Sequence, residues 1–186
     1  MKLRALLAAV FLGFSVPATA AECADLWDWL NTACRRVVST YEKGDNVLIV
    51  SGYAWHTPWT WTAEKRAEEN ELAWGGGLGR MVEQANGDTE MVYFLVFSDS
   101  HYRPQYNVGY AWSTYWGERS GIQAGLGFTA LVVARNDIFN GWPFPAVLPV
   151  FSLRYRKFEA IGTYIPTLGG VNNGSVLYVM GRLPLD

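Results

Sequence analysis

Between residues 24 and 41 the apolar side chains Leu26, Trp27, Leu30, Cys34, Val37 and Val38 recur at spacings of three and four. Asp25, Asp28, Arg35 and Arg36 fall between them, which predicts an amphipathic helix at about 24–41 with Gly44 as its stop. Such a helix either packs on the rest of the fold or lies in a membrane interface plane. From Asn46 onward the period changes to two. Eight strands are predicted, at about 46–56, 72–83, 89–99, 106–117, 120–134, 146–156, 158–166 and 174–184. Most approach the roughly 10 residues that a tilted membrane strand needs and exceed the five or six common in soluble sheets. Eight strands also close a small barrel.

The connections alternate in length. Asn86-Gly87 is a hairpin signal, Arg119-Ser120 a short turn, and Lys157 alone separates two strands. The links at 57–71, 100–105, 135–145 and 167–173 are long. Short turns on one rim and long loops on the other are the asymmetry of an outer-membrane barrel, with the long loops facing outward. The first strand then starts at the short-turn rim, and every odd strand ends at the long-loop rim.

Side-chain alternation predicts the contents. In the fourth strand Tyr106, Val108, Tyr110 and Trp112 alternate with Asn107, Gly109, Ala111 and Ser113. In the fifth, Ile122, Leu126, Phe128 and Val132 share one face while Gly121, Gly125, Gly127 and Thr129 share the other. With the large face toward lipid, the small face leaves room inside. The third strand is apolar on both faces, so the space suits a hydrocarbon tail better than a water channel. The competing reading of each glycine is that it relieves crowding or marks a bulge.

Composition narrows the class. The 186 residues are 50% hydrophobic, 15% aromatic and 17% charged, with a formal charge of −2. That excludes a disordered or polybasic chain and gives no electrostatic footprint for nucleic acid. Lys2 and Arg4, the apolar run 5–16 and Ala18-Thr19-Ala20 read as a signal peptide over 1–20, leaving 21–186 as one exported domain with its barrel at about 46–185. Ala21-Glu22 before Cys23 argues against a lipoprotein. The longest later apolar run, 128–134, is far short of the about 20 residues of a spanning helix. Cys23 and Cys34 would lie about 16 Å apart along a continuous helix, too far to bridge unless the chain before Asp25 folds back.

Candidate chemistry collects at one rim. His56 ends the first strand and Asp99-Ser100 ends the third, so parity places all three at the long-loop rim. An imidazole, a carboxylate and a hydroxyl suit acyl transfer, with His as base, Ser as nucleophile or polarising group and Asp as orienter. His101, on the adjacent loop, is the competing histidine. Two histidines without clustered carboxylate spacing predict no metal site, and Gly75-Gly76-Gly77 lacks the lysine and helix of a phosphate loop.

An ordered set of segments then carries a resemblance. It comprises Ala54-Trp55-His56, Trp74-Gly75-Gly76-Gly77-Leu78-Gly79, Phe97-Ser98-Asp99-Ser100, Gly109-Tyr110-Ala111-Trp112, Leu126-Gly127-Phe128-Thr129-Ala130, Ala134-Arg135, Leu148-Pro149, Tyr164-Ile165-Pro166 and Asn172-Asn173-Gly174. From about residue 24 to the end the chain resembles the lipid A palmitoyltransferase (PagP) family.

The resemblance implies an all-β fold: an eight-stranded antiparallel up-and-down transmembrane barrel preceded by an amphipathic helix. It implies transfer of palmitate or a slightly shorter chain from the sn-1 position of a phospholipid to a hydroxyacyl chain of lipid A. No cofactor is expected, and a monomer is expected, in the outer membrane with its site facing the cell exterior. The family's essential His, Asp and Ser fall on His56, Asp99 and Ser100, either through an acyl-enzyme or through direct attack by the lipid hydroxyl. Arg135 on a long loop is a candidate contact for a lipid A phosphate. Ala111 stands where a member of that family has glycine at the floor of its hydrocarbon pocket, which predicts a preference for a shorter donor chain. Pro149 and Pro166 would interrupt strand pairing and open a lateral lipid gate, while Ser51 stands where a second such proline would be. The alternative is a noncatalytic lipid-binding or structural barrel, with a soluble lipocalin-like carrier less favoured by the aromatic outer faces.

Overall fold

The computed structural model describes residues 23, 27–169 and 172–185. The expected signal peptide lies outside them, as do residues 24–26 of the expected helix. Helix α1 spans Asp28–Lys43, four residues later than the periodicity predicts at its start and two later at its end. Trp27, extended in backbone, is its N-cap. Cys23 and Cys34 form a disulfide with Cα atoms 5.8 Å apart, so the two do not share one helix.

Arg80 explains where α1 stops. Its guanidinium donates to the carbonyls of Tyr41 (3.1 Å) and Glu42 (3.2 Å) and to Asn46 Oδ1 (3.1 Å), satisfying last-turn carbonyls that have no intrahelical partner. The helix packs on the outside of the second and third strands through Val38 and Thr40, while Trp27 and Trp29 point away from the barrel. It thus packs with one face and offers aromatic side chains to its surroundings with the other.

The strands are β1 (Asp45–His56), β2 (Leu72–Glu83), β3 (Thr89–Ser98), β4 (Pro104–Gly117), β5 (Ile122–Ala134), β6 (Phe144–Tyr155), β7 (Phe158–Ile165) and β8 (Val176–Pro184). Each pairs antiparallel with its chain neighbours and β8 returns to β1, closing the barrel. Closure removes sheet edges, which allows strands to cross a bilayer. Tight turns at 84–88, 118–121 and 156–157 sit on one rim, and the long loops on the other. The first long loop contains α2 (Ala63–Glu68), capped where Thr62 Oγ1 accepts from the Lys65 amide at 3.4 Å. Among the described residues no helix is long and apolar enough to cross a membrane, which says nothing of strands.

The alternation resolves as predicted. Trp74, Leu78, Leu126, Val147 and Leu153 face outward and are exposed, a band that is favourable against lipid and unfavourable against water. Inside, Val47, Ile49, Met91, Tyr93, Leu95 and Tyr178 form a buried cluster.

The role of the inward glycines is corrected. They do not line the interior space. A Cβ on Gly109 would fall 2.6 Å from the Tyr93 hydroxyl, and one on Gly125 would fall 2.7 Å from the Tyr115 ring. These glycines make room for neighbouring aromatic side chains and backbone in a tightly curved sheet, and the cavity is lined instead by Ala111, Leu131, Leu148, Val150 and their neighbours.

Candidate active site at the long-loop rim

Five rim segments converge on His56. A bulge in β1, where the register shifts between Ser51 and Tyr53, turns Ala54 and His56 into the barrel. The imidazole is fully buried, and the Trp61 ring stands edge-on to it at 5.0 Å between centroids. Trp61 is itself fixed by donating from Nε1 to the Ser175 carbonyl at 3.1 Å. Its indole lies so close over Gly174 that a Cβ there would meet it at about van der Waals overlap, which is why the Asn172-Asn173-Gly174 segment ends in glycine.

His56 Nε2 lies 3.0 Å from Ser100 Oγ. The two side chains that parity placed in one layer are therefore in hydrogen-bond contact. Asp99 takes a different position from the orienter read in the sequence. Its Oδ1 accepts from the amides of His101 and Arg103, each at 2.8 Å, closing the turn that carries Ser100. Its Oδ2 faces Arg135 Nη2 at 3.9 Å and makes no hydrogen bond among the described residues. Asp99 thus fixes Ser100 through the backbone, and its described hydrogen bonds do not include the imidazole.

The carboxylate beside the imidazole is Glu71, with Oε1 3.5 Å from His56 Nδ1. The same oxygen accepts the His56 amide N–H at 3.1 Å, and Oε2 accepts from the Tyr53 hydroxyl. Burial works against the Glu71 charge, but the Tyr53 hydroxyl, the His56 amide and the adjacent imidazole outweigh it. They hold the carboxyl below its ordinary range. Asn70, also buried, completes the join. Its amide donates to Ser98 Oγ and the Asp99 carbonyl, each at 3.1 Å, and its backbone N–H to the Ser100 carbonyl at 2.8 Å. Asn70-Glu71 escaped the sequence reading, which followed the ends of odd strands. The same parity puts the starts of even strands at this rim, and the two residues immediately precede β2.

His101, the competing histidine, is half-exposed and sits between Glu69 (3.9 Å) and Asp137 (3.4 Å). Arg135 is less free than a loop arginine in solvent: Asp137 holds it in a bidentate pair at 3.0 and 2.7 Å. The atoms of Asp99, His101 and Asp137 come within 4.8 Å of one another, but Arg135 is bound to one of these carboxylates and faces the other.

Below the rim an apolar cavity of about 380 Å³ runs down the barrel axis, with His56, Ser100 and Arg135 at its mouth. Ala111 lies in its wall. Further toward the short turns the lining reaches Ser113, Glu159 and Arg182. Glu159 pairs with Arg182, accepts from Tyr115 at 2.8 Å and lies 3.5 Å from Arg154. Arg154 stacks on the Tyr115 ring at 3.7 Å and reaches Glu83 at 3.2 Å. This interdigitated charge layer under the cavity was not read from the sequence. Glu83, Arg154, Glu159 and Arg182 lie within two residues of strand ends, where charge is ordinary.

The side wall is incomplete between β6 and β7. Their ladder begins at Val150 opposite Thr163 and runs down to Tyr155 opposite Phe158. Above it, among the described residues, Phe144 to Pro149 pair only with β5, and Tyr164 and Ile165 only with β8. Pro149 marks the edge of this opening, with its carbonyl accepting from Thr163 Oγ1 at 2.7 Å, and Pro166 follows β7 directly. The β1–β2 seam differs. It stays paired past Ser51, whose hydroxyl donates to the Ala73 carbonyl and contacts the Tyr178 hydroxyl at 2.6 Å.

A family model described as antimicrobial peptide resistance and lipid A acylation protein PagP matches residues 36–182. The chain is similar to the lipid A acyltransferase PagP of Bordetella parapertussis, 38% identical over 94% of this chain and 95% of the relative. It is similar to proteins of the same name from Legionella pneumophila, at 37% identity over 90% and 88%, and Methylobacillus flagellatus, at 36% over 89% of each.

Proposed function

Since the chain belongs to the PagP family of lipid A acylation proteins, we propose that it moves one acyl chain from the sn-1 position of a phospholipid to a hydroxyacyl chain of lipid A. It is an acyltransferase of the outer membrane, with lipid A as acceptor. The observation that carries the finer reading is the His56–Ser100 contact of 3.0 Å at the mouth of a largely apolar cavity. A hydrocarbon tail in that cavity brings its ester carbonyl to the imidazole and the hydroxyl, which is the positioning an acyl transfer needs.

His56 Nε2 takes the proton of the lipid A hydroxyl as its oxygen attacks the donor carbonyl carbon. Ser100 turns its O–H toward the oxygen on which charge develops. The carbon–oxygen bond to glycerol then breaks, and the proton on Nε2 passes to the leaving glycerol oxygen. The products are a lysophospholipid and a more heavily acylated lipid A, and the balance needs no cofactor. The His56–Ser100 contact also favours a second reading, in which Ser100 itself attacks and carries the acyl group. Intact mass after exposure to donor alone separates the two: an added acyl mass on the protein marks the covalent route.

The opening above the β6–β7 ladder, edged by Pro149 and Pro166, supports lateral entry of the donor tail. Arg135 is the candidate for an acceptor phosphate, in exchange for its bond to Asp137. The long loops and the site face the cell exterior, residues 1–20 are a cleaved signal peptide, residues 21–186 form the single mature domain, and one copy is sufficient. The test is to incubate purified protein in detergent with defined phospholipids and lipid A and to weigh the products. Acylated lipid A with matching lysophospholipid supports the reading, and free fatty acid without acceptor acylation defeats it. His56→Ala should lose transfer by roughly 10²–10⁴-fold while the barrel still folds.

A further inference from the structure

We propose that Glu71 is the positioning carboxylate of this site, holding the His56 imidazole with its proton on Nδ1 so that the Nε2 lone pair faces Ser100. The inference rests on His56 acting as the base. Three observations carry it. Among the described residues the buried His56 Nδ1 has no hydrogen-bond partner, and Glu71 Oε1 stands 3.5 Å away. Glu71 is tied to β1 at three points, by the His56 amide, the Tyr53 hydroxyl and its own carbonyl, which accepts the Ala54 amide at 2.8 Å. Asp99, the other candidate orienter, has its described hydrogen bonds taken by the 101 and 103 amides.

An ionised carboxylate only accepts, so a Glu71–imidazole bond demands hydrogen on Nδ1 and leaves Nε2 free to take a proton. Catalytic hydrogen bonds are often long before substrate binds, and closing this one needs a movement of about half an ångström. Trp61 across the ring blocks the opposite swing. When Nε2 takes the hydroxyl proton, the imidazolium lies beside the Glu71 charge. The carboxylate stays ionised throughout and returns nothing to the substrate.

Glu71→Gln keeps the shape and the acceptor for the His56 amide but removes the charge. Its kcat should fall roughly 10²-fold with KM for the donor nearly unchanged. The acid limb of the pH–rate profile should move to lower pH by about one unit, because the protonated ring loses its closest stabilising charge. Glu69 and Arg135, the other charges acting on the ring, remain in the variant. Glu71→Asp should restore part of kcat and the original limb. A Glu71→Gln enzyme with unchanged kcat, or with reduced kcat and an unmoved limb, overturns the proposal.

A measurement on the unaltered protein is independent of variant folding. With two histidines in the chain, imidazole ¹⁵N NMR in detergent resolves His56, and a proton on Nδ1 is expected. A proton on Nε2 instead overturns the proposal. A parallel His56→Ala assay separates the outcomes: full transfer there defeats the base assignment itself, whereas loss there beside an unimpaired Glu71→Gln defeats only the role of Glu71.

Discussion

Ser51 and His56 both face the barrel interior although they stand five positions apart, an odd spacing that puts side chains on opposite faces of a regular strand. Gly52 is the extra residue. Below it the inward set is Val47, Ile49 and Ser51, and above it Ala54 and His56. Bulges re-aim side chains beside active sites. Without this one Trp55 would point inward and His56 toward lipid.

The bulge is therefore a handle on catalysis that lies away from the reacting atoms. A Cβ on Gly52 would fall 2.8 Å from the Val179 carbonyl oxygen, part of the β8 backbone. Gly52→Val should push β1 away from β8 locally and displace the imidazole. A displacement near 1 Å costs about 10²-fold in rate, so transfer should fall by about that factor while the heat-shifted gel mobility of a folded barrel persists. Full transfer by this variant would remove the bulge from the account of the site.

Much of this was legible before the structure, and the failures have physical causes. Strand positions were readable because a lipid-facing side and an inward side alternate with a two-residue period over most of each strand. The β2 boundaries, 72–83, agree at both ends. The rim grouping of His56 and Ser100 followed from strand parity alone. The bulge was not legible, since Gly52 leaves no mark in hydrophobicity, and neither was which carboxylate stands beside the imidazole. Asp99 and Glu71 are equally near the rim, and only the turn geometry at 99–103 shows that the amides of His101 and Arg103 occupy Asp99. The helix start was misplaced because the Cys23–Cys34 disulfide, which keeps the two residues off one helix, leaves no mark in the apolar spacing.

Rim electrostatics give a pH prediction. Burial alone would raise the Asp137 carboxyl, but the hydrogen bonds and charge of Arg135 prevail and hold it below its ordinary value. A depressed carboxylate contributes its stabilisation above its unfolded pKa and loses it as pH falls through the folded one. The Arg135–Asp137 pair should hence stay intact at neutral and mildly acidic pH and release Arg135 only below the usual Asp range. Carboxyl ¹³C NMR of Asp137 checks this, and a midpoint at or above an ordinary aspartate would contradict it.

The charge layer under the cavity yields a stability prediction. Glu159 and Arg182 face each other in register on β7 and β8 and are both buried. Removing one partner of a buried pair strands the other, at a cost of about 3 kcal/mol or more. Arg182→Met should approach the low end, because Arg154 still attends Glu159. The double variant with Glu159→Gln should recover much of the loss, which urea unfolding of the refolded barrel can read. Strictly additive losses would show that the pair is not energetically coupled.

The same layer bears on acyl length. An alkyl end gains nothing by entering a layer of paired charges, so the tail stops above Glu159 and Arg182 and its usable depth is set by the wall. Ala111 lies in that wall, in register with Met91 on β3 and Thr129 on β5. Its methyl group occupies room that glycine would leave open, which favours donors shorter than palmitate. Ala111→Gly should admit about one more methylene, worth about 0.8 kcal/mol, and shift the preference between neighbouring chain lengths about fourfold toward the longer. Competition between donors of graded length, with acylated lipid A weighed by mass spectrometry, measures that ratio. A wild-type protein that already favours palmitate, together with an Ala111→Gly variant of the same preference, would separate chain-length selection from this side chain.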